Sequence, residues 1–166
     1  MILTRKNMKN GDELSILGFG CMRFPTTKGG SIDEKRSIAL MRDAVDKGIN
    51  YFDTAYFYNN GRSEYLLGEA LQGGYRSKVH IATKLPPFMV GNLDAAKKIF
   101  KTQLSKLQTD YIDYYLLHML SDKAGFDRME RIGVIEWLEE LKRDGVIKNI
   151  GFSFHGSRAD FEELIK

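Results

Sequence analysis

The sequence predicts an α/β fold, an incomplete (β/α)8 barrel made of an N-terminal β-hairpin and about five βα units. Three observations carry that prediction. Short apolar runs alternate with amphipathic helical stretches through short connections, which is the pattern of parallel strand pairing. The runs, "YYLL" and "VHIA" among them, are apolar on both parities, as strands covered by helices are. The units recur about every 30 residues, and no internal sequence repeat or low-complexity linker divides the chain.

The elements follow in order. "ILTRKNM" and "ELSILGFG" flank Asn10-Gly11, a dipeptide suited to the positive φ angles of a two-residue hairpin turn. A helix is expected from Ser31, as N-cap, with Asp33 and Glu34 in its first turn. Ile38, Leu40, Met41, Ala44 and Val45 form its apolar stripe, and Lys47-Gly48 closes it. The strand "INYFD" follows, then a helix over 63–71 that ends at Gly73-Gly74. "KVHIATK" reads as the next strand. Asn92 is expected to cap a helix through Leu107, with Ile99, Phe100, Leu104 and Leu107 on one side. "YIDYYLLH" is a strand, 132–143 a helix packed through Trp137, and "IKNIGFSF" the last strand, before a helix that begins near Ser157.

An eight-unit barrel typically takes ~250 residues, so 166 leave no room for the last three units. Residues 1–166 are therefore expected to form one C-terminally incomplete domain. The remainder would belong to a longer protein or come from another chain; an open doubly wound sheet ranks third. The exposed edges of an incomplete barrel favour self-association.

Composition narrows the function classes. With 25 basic and 22 acidic residues the formal charge is +3, and no Lys/Arg block interleaved with aromatics suggests nucleic acid. The single cysteine, Cys21, excludes an internal disulfide and suits a reducing, cytoplasmic setting. "MILTRKNMKNGDE" turns polar too early to read as a signal peptide, and no apolar run approaches the ~18 residues of a membrane span.

Four successive apolar runs deliver a polar side chain at their C-terminal ends: Asp53, Lys84, His118 and Ser153. In parallel α/β architectures that edge is where sites are built. A phenol with pKa ~10 is a poor acid at neutral pH. A nearby ammonium stabilises the phenolate, and a carboxylate holds the ammonium in place. A neutral imidazole can orient a carbonyl oxygen by donating to it. Together these groups suit protonation of an oxygen while hydride reaches the adjacent carbon.

"NYFDTAYFYNNGRSEYLLGEAL", "IATKL", "DYIDYYLLH" and "GVIKNIGFSFHG", in this order and spacing, resemble consecutive landmarks of the aldo-keto reductase superfamily. The resemblance runs from the hairpin, which in that family plugs the barrel floor, to the fifth strand. It implies a (β/α)8 TIM barrel and NAD(P)H-dependent reduction of a small aldehyde or ketone, with NADPH expected as cofactor and no metal. Residue by residue it implies Asp53 as the lysine's partner and Tyr58 as general acid. Lys84 would lower the phenol's pKa, and His118 would orient the carbonyl. It also implies Ser153 as a contact to the nicotinamide carboxamide, and Arg23 on the cofactor side. Where many relatives follow the serine with asparagine, this chain has Phe154 and His155. "LGFGCMRFP" is similar to a branch whose longer members carry a ferredoxin-like tail. An Fe–S cluster is expected only with such a tail, since this chain has no cysteine cluster. A non-catalytic relative that acts through self-association or a partner chain is the alternative.

Each residue also has a plainer reading. Asp53 could cap the loop after its strand. Tyr56 could be the working phenol instead of Tyr58, and only the family spacing selects between them. Lys84 could be a solvated lysine or a Schiff-base former. His118 and His80 could be core histidines, and His80, at the start of its strand, is assigned so. His155 is either a loop residue or a ligand contact. Cys21 reads as buried packing, and Ser63-Glu64 as helix-start chemistry.

Overall fold

A computed structural model describes residues 2–166. Strands β1 (Thr4–Lys6) and β2 (Glu13–Ser15) pair antiparallel, with Lys6 opposite Glu13. The connection is the loop 7–12, not the expected two-residue turn at Asn10-Gly11. Its side chains explain why. Asn7 Oδ1 accepts from the Lys9 amide at 3.0 Å and Asn10 Oδ1 from the Asp12 amide at 3.1 Å, so each asparagine closes its own turn. Asn10 Nδ2 also donates to Tyr114 Oη (3.1 Å) and Asn149 Oδ1 (2.9 Å), which seats the loop against the floor of the main sheet.

That sheet is five-stranded and parallel, in the order β3 (Phe19–Gly20), β4 (Tyr51–Asp53), β5 (His80–Leu85), β6 (Ile112–Leu120) and β7 (Ile147–Phe154). Spatial order equals chain order. A doubly wound sheet reverses its order at a switch point, and this one does not. It is an incomplete barrel, with β3 and β7 at its two edges.

The helices are α1 (Glu34–Asp46), α2 (Ser63–Ala70), α3 (Leu93–Leu107), α4 (Lys123–Arg131), α5 (Val134–Arg143) and α6 (Arg158–Leu164). Asn92 caps α3 and Ser157 caps α6, as the sequence suggests. For α1 the cap is Asp33, whose Oδ1 accepts from the Arg36 amide at 3.0 Å. Ser31 is held back by a turn in which its carbonyl accepts from the Thr27 amide. Helix α4 has no counterpart in the sequence reading, which expects a single helix over 132–143. Only Met129 of α4 is buried, so its apolar stripe is too narrow to stand out. Gly133, at φ +78, separates it from α5.

The core lies between the helices and the outer face of the sheet, where Met41, Phe52, Leu66, Leu67, Ile81, Tyr115 and Leu138 are fully buried or nearly so. Trp137 packs edge-on against Phe100, with centroids 5.7 Å apart. Among the described residues no helix is long and apolar enough to cross a membrane.

Candidate active site

Strand register sets the site. Asp53, the last residue of β4, lies opposite Ala82 of β5. Side chains alternate along a strand, so Lys84 projects on the same face as Ala82, one repeat beyond the end of β4. From there Lys84 Nζ reaches Asp53 Oδ1 at 2.7 Å, the Thr54 carbonyl at 2.8 Å and Tyr58 Oη at 3.3 Å. Lys84 is only 4% exposed. The strand end thus gathers carboxylate, ammonium and phenol within hydrogen-bonding reach.

Tyr58 arrives there because its loop turns back on itself. Asn59, Asn60 and Gly61 have φ of +53°, +55° and +81°, and asparagine and glycine tolerate that left-handed run best. The Asn59 side chain anchors the turn by donating to the Cys21 carbonyl at 3.1 Å. Tyr56 takes a different direction. Its ring lies 4.3 Å beneath Lys106 Nζ, away from Lys84.

His118 stands next to a β-bulge. Between the pairs Leu117↔Phe152 and Leu120↔Phe154, two residues of β6 face one residue of β7. Met119 takes φ +57°, and its amide donates to Ser153 Oγ at 2.8 Å. A bulge re-aims the side chains beside it. The His118 ring stacks on Phe57 (centroids 4.8 Å, planes 13°) and meets Tyr58 edge-on at 5.6 Å. Its Nδ1 is buried without a hydrogen-bond partner. Burial, reinforced by the positive charge of Lys84 and by His155, lowers its pKa to about 4, so the ring is neutral near pH 7.

Phe57, Tyr58, Asn59, His118, Met119, His155 and Met22 line a cavity of about 340 Å³. Neither Arg23 nor Ser153 lines it. Arg23 is exposed on the segment after β3, and the Ser153 hydroxyl accepts from the bulge. Phe57, Asn59 and Met119 are lining residues that the sequence reading does not single out. The only available signal is that they adjoin Tyr58 and His118, because loop residues follow no periodicity. Among the described residues no group of three or more His, Cys, Asp and Glu could hold a metal ion.

The profile of the aldo/keto reductase family matches residues 16–164. The chain belongs to the aldo/keto reductase family. It is 33% identical to the uncharacterized oxidoreductase YqkF of Bacillus subtilis over 150 residues, which are 85% of this chain and 45% of the relative. Aldo-keto reductase AKR11C1 from Bacillus halodurans, in its holo form, superposes with a TM-score of 0.76 at 34% identity, over 93% of this chain and 51% of that one. An aldo/keto reductase from Klebsiella pneumoniae in complex with NADP and acetate gives 0.76 at 27% identity, over 94% and 51%. The chain spans about half the length of the curated relatives it matches.

Within this aldo/keto reductase chain two plain readings need correcting. Ser63-Glu64 does open α2, with Glu64 in its first turn, but neither side chain caps the helix. Ser63 Oγ donates to the Cys21 carbonyl at 2.7 Å and lies 2.8 Å from Thr54 Oγ1, and Glu64 is fully buried. His80 is not a satisfied core histidine. It is partly exposed, and its Nδ1 has no hydrogen bond, lying 3.8 Å from Asp12 and 3.7 Å from Asp113. Cys21 is fully buried, and burial, with Asp53 nearby, raises its thiol pKa far above the usual range.

Proposed function

We propose that the chain carries the acid–base half of an NADPH-dependent reduction of a small aldehyde or ketone to an alcohol. The observation behind this reading is the Lys84 ammonium set between Asp53 (2.7 Å) and the Tyr58 phenol (3.3 Å). Tyr58 gives its proton to the carbonyl oxygen. Lys84 stabilises the negative charge left on the phenol oxygen, and Asp53 with the Thr54 carbonyl fixes the ammonium. His118, neutral and stacked on Phe57, donates to the same carbonyl oxygen and orients it.

A nicotinamide bound at this face would supply the hydride. The residues present fit that end of the cofactor: Ser153 uses its oxygen to hold Met119 and keeps its O–H free to donate to a carboxamide. A cavity of about 340 Å³ lies at the small end of ligand pockets, which run ~300–1,000 Å³. Its lining contains no lysine or arginine for the phosphates. Arg23 is the cation proposed for the cofactor side, and an Fe–S cluster belongs only to a longer, tailed protein. A reducing, cytoplasmic setting goes with the reading.

The test is consumption of NADPH with a reactive aldehyde by the chain and by Tyr58→Phe. Loss of turnover in a folded Tyr58→Phe protein supports the reading, and undiminished turnover overturns it.

A second reading, a non-catalytic protein that self-associates or takes a partner chain, draws on the free β3 and β7 edges and on a β7 that is only partly covered. Light scattering separates the two. A stable oligomer without turnover favours assembly, and a turning-over monomer excludes it.

A further inference from the structure

Glu64 is a fully buried carboxyl that the proposed chemistry does not use. Its Oε1 accepts from Thr83 Oγ1 at 2.7 Å and from Gln103 Nε2 at 2.7 Å. Its Oε2 has no hydrogen bond and faces Lys106 Nζ at 3.6 Å. Burial raises its pKa, outweighing the hydrogen bonds from Thr83 and Gln103 and the charge of Lys106. An internal carboxyl of this kind costs stability unless its partners hold it tightly.

Two arms leave this group. Through Gln103 it reaches strand β5: Gln103 Nε2 also donates to the Lys84 carbonyl at 3.1 Å, and Tyr115 Oη locks Gln103 Oε1 at 2.6 Å. Through Lys106 it reaches the loop that carries Tyr58. Lys106 Nζ donates to the Tyr56 carbonyl at 3.5 Å and sits 4.3 Å over the Tyr56 ring. The space beside Gly61 is so close that a methyl there would stand 3.3 Å from Lys106 Nζ. Helix α3 supplies both Gln103 and Lys106, and Gly68 of α2 lets the two helices touch backbone to backbone.

We infer that Glu64 is a positioning residue: from beneath the site it ties the backbone of Lys84 to the loop of Tyr58 and so sets the ammonium–phenol distance. The inference rests on the proposed role of that pair. It predicts a function for a side chain that lies outside the cavity and touches neither substrate nor cofactor.

The readout is the alkaline absorbance titration of the Tyr58 phenol, taken as the difference between each protein and its Tyr58→Phe counterpart. Lys84→Met serves as reference: on the proposed role of the pair, loss of the ammonium should move the midpoint to higher pH. Glu64→Gln removes a negative charge, which by electrostatics alone would move the midpoint down. A loosened pair moves it up. Gln103→Leu cuts the other arm without changing any charge. We expect both variants to raise the midpoint by at least ~0.5 pH unit, toward the Lys84→Met value, with circular dichroism and Trp137 emission unchanged. A midpoint moved by Lys84→Met but by neither variant overturns the role of Glu64 alone. A midpoint that ignores Lys84→Met overturns the ammonium–phenol reading, and this inference with it. Should Glu64→Gln not fold, Gln103→Leu decides.

Discussion

Lys84 donates to Asp53 across two adjacent parallel strands, at 2.7 Å, with the Asp53 side chain about one-third exposed and that of Lys84 almost wholly covered. The asymmetry matters. The buried member is the cation, and it is satisfied by a carboxylate, a backbone carbonyl and a phenol. A lysine in that position is held rather than solvated, and it has no freedom to swing toward another base.

Lys84→Met should therefore act on chemistry more than on fold. Asp53 can turn its carboxylate to water and Tyr58 its hydroxyl to the cavity it lines, so the Thr54 carbonyl is the group left buried without its partner, and the stability cost should be about 1–3 kcal/mol. Turnover should fall by ~10² or more, the scale of a lost acid–base group. Asp53→Asn should keep a hydrogen bond to Lys84 and cost less in both measures. Urea denaturation and NADPH consumption, run on the same preparations, give the two numbers. Equal losses of turnover in the two variants would argue against a ranking set by the ammonium.

His118 makes the fold pH-dependent in a defined window. Its pKa falls from 6.5 unfolded to about 4 folded, so between those values the unfolded chain binds the extra proton. Stability is then fully present above pH 6.5, declines as pH falls, and stops changing from this source below about 4. The total is at most about 3 kcal/mol. His118→Phe should flatten that slope in stability measured from pH 7 to 4. An unchanged slope would show that the ring takes up its proton without penalty.

Some of this was legible in the sequence and some was not, for physical reasons. The five parallel strands and the Asn92 cap could be read because alternation and capping are local. The gathering of Asp53, Lys84 and His118 at one edge could be read because strand ends converge there, whereas Tyr58, in the loop after β4, is selected over Tyr56 only by the family resemblance. Glu64 could not be read. A serine–glutamate pair at a helix start looks like capping chemistry, and only the approach of α3 buries the carboxyl. Helix α4 was hidden by its narrow apolar stripe. The bulge at His118 and Met119 depends on Ser153, a residue of another strand, and local pattern carries no trace of it.

Gly68→Ala tests the helix contact that buries Glu64. Alanine is the better helix former by ~1 kcal/mol, so propensity alone predicts stabilisation. A methyl on Gly68, however, would press on the Lys106 carbonyl oxygen and stand 2.9 Å from the Leu107 carbonyl carbon, which are backbone atoms with no side chain to yield. We expect a net loss of about 1–3 kcal/mol. Gly91→Ala, where a methyl would meet nothing within 4 Å, is the control and should be near neutral. Stabilisation by Gly68→Ala would mean that the two helices separate at little cost.

At the opposite end of the sheet, Asp113 offers a comparison of two cations on one buried carboxylate. Arg76 Nη2 donates to its Oδ2 at 2.8 Å and Lys148 Nζ to its Oδ1 at 2.8 Å. The Arg76 side chain is 16% exposed and that of Lys148 48%. Burial pushes the Asp113 pKa up, but the His80 ring 3.7 Å away, the hydrogen bond from Lys148, the charge of Arg76 and the Ile81 amide outweigh it and hold the carboxyl well below its usual 3.8. Its contribution is therefore intact above that pH and is lost on further acidification, a window below that of His118. Equal distances predict equal worth only if solvent is ignored. Water can replace the Lys148 ammonium, so Lys148→Met should cost under ~1 kcal/mol. Arg76→Met removes the covered partner and its bonds to the Thr109 hydroxyl and the Val79 and Tyr111 carbonyls. It should cost about 2–4 kcal/mol. Denaturation of both variants at pH 7 gives the comparison, and equal costs would place the weight on charge rather than on burial.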